Sequence, residues 1–391
     1  MIKTIKMNED KATYEQRFID LMTYCFKMCT AEDFKEDWRR STPERETVLG
    51  AFDEEILASC ISIPYRTMYI DGKPLKMAGL GGVTTASTYR SGGVCSNLIK
   101  EGLKVMYEQN AVYSMLAPFS YEFYEKLGWK WCYNNILYSF EIERLKKFKN
   151  EGRIEYVNTT TMEELSRFYE TYIQNLNGAC TRDESQWERR ISRKLDHYTV
   201  LYRNNEGNVE GYMIYKITHA TLTFDVIEIQ YTTLGALRSF LNYICSHSAQ
   251  VTKVHILAKE HDILLDVLTN PKCNTCIDSY MMGRIIDVCK ALKAYKFQKD
   301  GTFIIEVNDD ICDWNKGCFK VSINLGEVDV QKVNDEAELS IDIRELTQLL
   351  IGFRTIKELE ILEKIQWKQS KDQIAECFKV NRSKVALYDY F

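Results

Sequence analysis

Proline is scarce in this chain, with five in 391 residues, and no serine- or glycine-rich tract separates one part from another. Domain boundaries must therefore be read from changes in hydrophobic pattern and not from linker composition. Long apolar runs are also missing. None approaches the roughly 20 residues needed to span a bilayer, so no membrane insertion is expected. The opening MIKTIKMNEDKATYEQ lacks the apolar core of a signal peptide, which points to a cytoplasmic protein. An excess of basic residues is absent too. Lys and Arg number 51 against 56 Asp and Glu, a net charge of −5, and a nucleic-acid partner would need a basic face. The local run Arg144–Lys149 (RLKKFK) reads as a solvated connector.

Cysteine is plentiful, at 13 residues, but the odd number and the long chain do not suit a disulfide scaffold. Cys60, Cys132 and Cys245 lie inside apolar stretches, where a reduced thiol behaves as a small hydrophobe. Cys273 and Cys276 have CxxC spacing, yet no second pair or close histidine accompanies them, so no metal site is expected. What remains is a globular composition, 45% hydrophobic and 27% charged. At about 150 residues per domain the length suggests roughly two to three domains.

The first part alternates hairpins, a helix, a strand, a short helix and a strand. Thr47–Ile63 reads as two strands around an acidic turn, and Arg66–Leu80 as a hairpin centred on Asp71–Gly72. After the strand-like run Gly79–Ser87 the pattern becomes helical, with Val94, Leu98, Ile99 and Met106 on one face. Ala111–Ala117 then reads as a strand, Phe123–Lys126 as a short helix and Trp131–Ile142 as the last strand. This order predicts a mixed α/β layered fold. The charged stretch Glu143–Arg153 reads as a linker, and beyond it the same order recurs more faintly, as a second copy of the first unit. A third pattern starts with a predicted helix at Met281–Val288. Strands follow at Gly301–Val307 and Gly317–Leu325, then helices at Ile343–Gly352, Lys357–Gln366 and Ser370–Phe378. The ending Leu387-Tyr-Asp-Tyr-Phe391 carries aromatics and no polar tail, which suggests a buried C-terminus.

The chemistry concentrates at Arg90-Ser-Gly-Gly-Val-Cys95, where a strand delivers the chain into a helix. Free backbone N–H groups and the positive end of the helix dipole suit a phosphate there. Gly92 and Gly93 let the backbone approach an anion, and Arg90 adds charge at the rim. The corresponding stretch of the second copy, Tyr231-Thr-Thr-Leu-Gly235, has one glycine and no nearby basic residue, so that copy reads as scaffold. Cys95 at a helix start is a candidate nucleophile, but without a histidine partner it reads as a packing residue.

The segment Arg90-x-x-Gly93-x-Cys95 resembles the acetyl-CoA signature of the GNAT superfamily, Arg/Gln-x-x-Gly-x-Gly/Ala, with Cys95 in place of the last small residue. Phe123-Tyr-Glu-Lys-Leu-Gly-Trp129 is similar to a second element of that superfamily. In layout the whole chain resembles the enhanced intracellular survival (Eis) family of N-acetyltransferases. The resemblance implies an α/β fold of tandem GNAT units followed by a sterol-carrier-protein-like domain, bounded at 1–146, 147–284 and 285–391. It also implies acetyl-CoA as co-substrate, a small-molecule amine as acceptor, and a homo-oligomer, namely a hexamer.

Residue by residue, it assigns Val83, Thr84 and Thr85 to the strand that lines the pantetheine arm. Ser91, Gly92, Gly93, Val94, Cys95 and Ser96 match the pyrophosphate loop with Arg90, while Phe119 and Ser120 lie at the next strand end. Tyr124 matches the family's general acid and the carboxylate of Phe391 its proposed general base. Phe26 and Trp38 match acceptor-pocket aromatics, although from the residues alone Trp38 reads equally as a core residue of an acidic helix. Met28 stands where the family's acidic pocket residue would be expected.

Attack of an amine on a thioester needs a neutral amine, a stabilised oxyanion and a protonated leaving thiolate. Tyr124, with a reference pKa of about 10, can supply the last proton. A terminal carboxylate, at about 3.3–3.7, works as a base if burial raises it or if a water relays the proton. Three readings follow: acetylation of an aminoglycoside or polyamine, acetylation of peptide or protein lysines, or a non-catalytic lipid- or acyl-CoA-binding protein.

Overall fold

The computed structural model describes all residues except Met1, Asn150, Arg193, Lys194, His261, Thr269, Ser370, 381–384, Tyr390 and Phe391. In chain order it begins β1 (Lys3–Lys6), α1 (Lys11–Cys25), α2 (Ala31–Arg40), β2 (Glu46–Asp53), β3 (Ile56–Ile70), β4 (Lys73–Gly79) and β5 (Gly81–Thr85). Next come α3 (Val94–Glu108), β6 (Tyr113–Leu116), α4 (Tyr121–Glu125), β7 (Lys130–Trp131), β8 (Asn134–Glu141), β9 (Arg153–Tyr156), α5 (Met162–Ile173) and α6 (Glu184–Arg190). β10 (Tyr198–Arg203), β11 (Val209–Thr218), β12 (Thr223–Tyr231), α7 (Leu234–Cys245), β13 (Lys253–Ala258), α8 (Leu264–Val267) and β14 (Asn274–Ser279) follow. The last part holds β15 (Met282–Ile285), α9 (Val288–Ala294), β16 (Gly301–Asn308), β17 (Gly317–Asn324), β18 (Glu327–Val333) and β19 (Leu339–Asp342). It ends with α10 (Ile343–Ile351), α11 (Ile356–Ile361), β20 (Ile365–Trp367) and α12 (Lys371–Cys377). Among the described residues no helix is long and apolar enough to cross a membrane.

The chain divides into two compact units. One comprises 1–132, 281–383 and 389–391, the other 133–280 and 384–388. In the first, an eight-stranded sheet runs β1-β2-β3-β4-β6-β15-β7, with β5 attached to β3. The β3–β4 hairpin turns at Asp71 and Gly72, both at positive φ (52° and 81°), the geometry a two-residue hairpin loop demands. Helix α3 lays Val94, Leu98, Ile99, Leu103 and Met106 into a core shared with Leu49, Ile61 and Ile63 of the sheet. The first unit also holds a five-stranded sheet, β18-β17-β16-β19-β20. A buried ion pair from Arg284 to Asp309 (2.7 Å) and a bond from Gln348 Nε2 to the Trp131 carbonyl (2.7 Å) fasten its two sheets together.

The second unit has a seven-stranded sheet, β14-β8-β13-β12-β11-β10-β9. Its core includes Tyr138 and Phe140 of β8, Met213 and Tyr215 of β11, and Leu237, Phe240 and Leu241 of α7.

Three expectations change here. The run Trp131–Ile142, expected to close the first unit, breaks after Trp131, and β8 pairs antiparallel with β13 and β14 of the second unit. Conversely Met281–Val288, expected as a helix, supplies β15, which completes the first unit's sheet between β6 and β7. The compact units therefore change over at about 132 and 280, so that Asn134–Glu141 falls in the second unit and Met282–Ile285 in the first. Pairing along a strand is chosen by the tertiary fold and leaves no side-chain signature of which sheet is joined. Lys357–Gln366, expected as one helix, is likewise split into α11 and the edge strand β20.

Candidate active site

β4 pairs parallel with β6 over Met77–Gly79 and Tyr113–Met115, and one further bond joins the Leu80 amide to the Met115 carbonyl (2.9 Å). Beyond that point the strands part. β5 continues along β3 alone, so its other edge presents backbone N–H and C=O groups with no neighbouring strand among the described residues. The gap is a cleft of about 490 Å³, within the size range of small-molecule sites.

One wall is β5 itself, through Val83, Thr84 and Thr85. Its end is held rigidly. Ser59 Oγ donates to the Thr84 carbonyl (2.6 Å), and the Thr85 carbonyl accepts from Arg90 Nε (3.3 Å) and Cys25 Sγ (3.9 Å). The floor is the loop entering α3. Ser91 and Gly93 have positive φ (64° and 76°), and no side chain caps the helix start at Gly93. The first amides of a helix have no intrahelical acceptor, so these N–H groups and the helix dipole can receive an anion. Arg90, its guanidinium 5.8 Å from the Tyr24 ring, is the only charged side chain among the described residues lining the cleft. Phe119, 69% exposed, and Phe123 form the far wall.

Tyr124 sits behind that wall, edge-on to Phe119 and Phe123 with ring centroids 5.1 Å away in both cases. It is buried and does not line the cleft. Burial, with a contribution from the nearby Cys95 thiol, pushes its phenol well above the usual tyrosine range, so it keeps its proton at neutral pH. Burial also raises the Cys95 thiol, only partly offset by the Thr85 and Ser59 hydroxyls. A neutral, half-buried thiol is a packing group and a poor nucleophile.

Of the expected cofactor residues, all but Gly92 and Ser120 line this one cleft. Ser120 instead caps α4, accepting from the Phe123 amide (3.3 Å). Cys25, Tyr89 and Phe123 line it as well. Phe123 lay within a quoted motif, whereas Cys25, at the end of α1, carried no signal. Trp38 corrects the expectation of an acceptor-pocket aromatic. It is 1% exposed, its ring lies 4.7 Å from Phe18, and its Nε1 donates to the Lys11 carbonyl (3.3 Å). Phe26, by contrast, is 38% exposed and tilted against Phe34 at 6.1 Å. The acidic residues around Trp38 are engaged locally: Asp33 closes a capping box with Thr30, and Glu36 pairs with Arg39 and Arg40. Phe391 lies outside the described residues. Asp389, two positions earlier, is buried and groups with the first unit.

The second unit repeats the splay but not the cradle. β12 and β13 pair in parallel only over Thr223–Val226 and Lys253–Ile256. At the start of α7, Thr233 caps the helix itself by accepting from the Ala236 amide (3.2 Å), and its hydroxyl donates to the Glu210 carboxylate (2.7 Å). A capped amide beside a carboxylate repels a phosphate, which agrees with the reading of this copy as scaffold.

A parted parallel strand pair feeding an uncapped helix start is the arrangement that the resemblance to GNAT acetyltransferases implies for the first unit. Comparison with known proteins bears this out along the chain. Residues 7–132 match an acetyltransferase (GNAT) domain, 178–285 a second acetyltransferase (GNAT) domain, and 288–385 a sterol carrier protein domain. The chain is thus built of two GNAT domains and a sterol carrier protein domain, and the GNAT domains imply use of acetyl-CoA. It is 24% identical over 346 residues to an uncharacterized N-acetyltransferase of Streptomyces avermitilis, covering 82% of both chains. A crystal structure from Enterococcus faecalis, described as a conserved protein of unknown function and probable N-acyltransferase, superposes with a TM-score of 0.92. The two are 27% identical, with both chains fully covered. Eis1 from Mycobacterium abscessus shares the fold at a TM-score of 0.82 and 17% identity, again over both whole chains.

Proposed function

We propose that the first unit transfers the acetyl group of acetyl-CoA to an amine of a small molecule, with aminoglycosides and polyamines as the acceptors to test first. The observation that carries this reading is the cleft between β5 and β6, with a free strand edge on one side and an uncapped helix start at its floor. The residues suit the cofactor. The amides of Val94, Cys95 and Ser96, with Arg90 at the rim, would hold the pyrophosphate, and the unpaired edge of Val83–Thr85 would bond the amides of the pantetheine arm. Acetyl-CoA supplies the activated thioester.

Tyr124 is the proton donor in this reading. Its phenol is protonated at neutral pH, and a thiolate released into the same desolvated surroundings becomes more basic for the same reason. Proton transfer between them is then not strongly uphill. The terminal carboxylate of Phe391 is the proposed acceptor of the amine proton, by the resemblance to the Eis family.

A thiol-release assay with acetyl-CoA and a panel of aminoglycosides, polyamines and lysine peptides tests the proposal. Release above the amine-free rate with the small amines supports it. Release only with lysine peptides would move the acceptor class, and no release with any amine would overturn the assignment as an enzyme.

A further inference from the structure

In the second unit Arg182 and Glu228 form a fully buried bidentate pair (2.9 Å on both arms). Arg190 adds a third bond to Glu228 (2.7 Å), and Tyr212 donates to the same carboxylate. Nearby, Tyr231 donates to Asp262 (2.6 Å) and Lys259 donates to Tyr172. Close to these groups lies a segment from the far end of the sequence. Val385 bridges in parallel to Asn177, and the Ala386 amide donates to the Asn177 carbonyl (3.1 Å). Val385, Ala386 and Leu387 are buried. Tyr388 is partly buried, and its hydroxyl donates to Gln230 Oε1 on β12 (3.3 Å). Glu228, Asp262 and Tyr172 all lie close enough to act on that phenol.

The second unit therefore holds the chain's own tail, against Asn177 and against Gln230 of β12. We propose that the second GNAT unit is a socket for the C-terminal segment Val385–Tyr388, with Asn177, Gln230 and Tyr388 as positioning residues that fix where the last three residues of the chain begin. Two observations support this. The tail makes backbone as well as side-chain bonds there, so its register is specified and not just its burial. The phosphate cradle of the first unit is lost in the second, through the Thr233 cap and the Glu210 carboxylate. An anchor at Tyr388 restricts the volume the residues after it can search and raises their effective concentration at one place. The functional half of the inference rests on the proposed role of the Phe391 carboxylate. The docking half does not.

The test uses the full-length protein and its Tyr388→Ala and Tyr388→Phe variants. Carboxypeptidase digestion followed by intact-mass measurement reads docking directly, because removal past Asp389 requires Tyr388 to leave the socket. In the wild type the mass ladder should stall with Val385–Tyr388 retained. In Tyr388→Ala it should run through that segment at least about tenfold faster, since cleavage follows the population of the open form. Turnover should fall on the order of a hundredfold in Tyr388→Ala, the scale of losing alignment by about 1 Å, with acetyl-CoA affinity unchanged. Tyr388→Phe keeps the ring and loses one hydrogen bond, so its turnover should fall by only about two- to tenfold. An unchanged affinity for acetyl-CoA also shows that Tyr388→Ala is folded. If the wild-type ladder runs through Val385 as fast as the variant's, the socket does not exist. A faster ladder with unchanged turnover refutes the positioning role. A chain extended beyond Phe391 that keeps full activity removes the carboxylate base instead, and leaves the ladder result standing.

Discussion

Gly93 offers the most direct test of the cofactor loop. Its φ of 76° and ψ of 0° place it in the left-handed region, where an L-residue costs roughly 1–2 kcal/mol and a β-branched one more. A Cβ at Gly93 would not clash, because its nearest neighbour is Ser96 Oγ at 3.9 Å. The penalty of Gly93→Val is thus conformational. The loop either bears the strain or relaxes to negative φ and turns its amides away from the anion. If that strain must be met to bind, 1–2 kcal/mol corresponds to a loss of acetyl-CoA affinity of about 5- to 30-fold. Gly207→Val is the control. Gly207 has a φ of 89° with no atom near a built Cβ, so it carries a comparable strain in the β10–β11 turn, away from any cofactor site. Titration calorimetry with acetyl-CoA should show weakened binding for Gly93→Val and wild-type binding for Gly207→Val. The melting temperatures of the two variants should drop by similar amounts. Wild-type affinity in Gly93→Val would refute the assignment of this loop to the pyrophosphate.

Tyr124→Phe keeps the packing against Phe119 and Phe123 and should lower turnover by about 10²–10⁴-fold, with cofactor affinity kept; an unchanged rate returns Tyr124 to the core. A tag after Phe391 should abolish transfer and spare acetyl-CoA binding, whereas one before Met1 should be tolerated. Ending the chain at Tyr390 keeps a carboxylate but moves it by about 3.3–3.6 Å, and activity there would favour a water-relayed base. In the second unit, burial disfavours the Glu228 charge, but Arg182 and Arg190 outweigh it and hold the carboxyl at about 2. A depressed carboxylate stabilises the fold above its unfolded pKa of about 4.3 and loses that contribution as pH falls towards 2. Glu228→Gln, which removes the carboxylate charge that Arg182 and Arg190 both bond, should cost about 3–5 kcal/mol in chemical denaturation and flatten the acid side of the stability profile.

The sequence by itself specified the local features. Asp71-Gly72 could only be a tight turn, and Arg90–Ser96 could be placed between a strand and an amphipathic helix because glycine position and a 3.6-residue period are properties of neighbouring residues. Val83–Thr85 were assigned only through the resemblance to the GNAT superfamily, and they line the cleft. The fate of Asn134–Glu141 and Met282–Ile285 was decided by the tertiary structure, which put each strand in the sheet of the other unit. An alternating strand buries the same face in either sheet, so its sequence does not say where its backbone bonds go. Trp38 had the same ambiguity: an aromatic on an acidic helix fits a pocket or a core, and only packing against Phe18 placed it inside. The aromatic ending read as buried, and its described residues Leu387 and Asp389 are. Its place against Asn177 and Gln230 was not, since a contact across some 150 to 200 positions depends on where two distant segments come together in the fold.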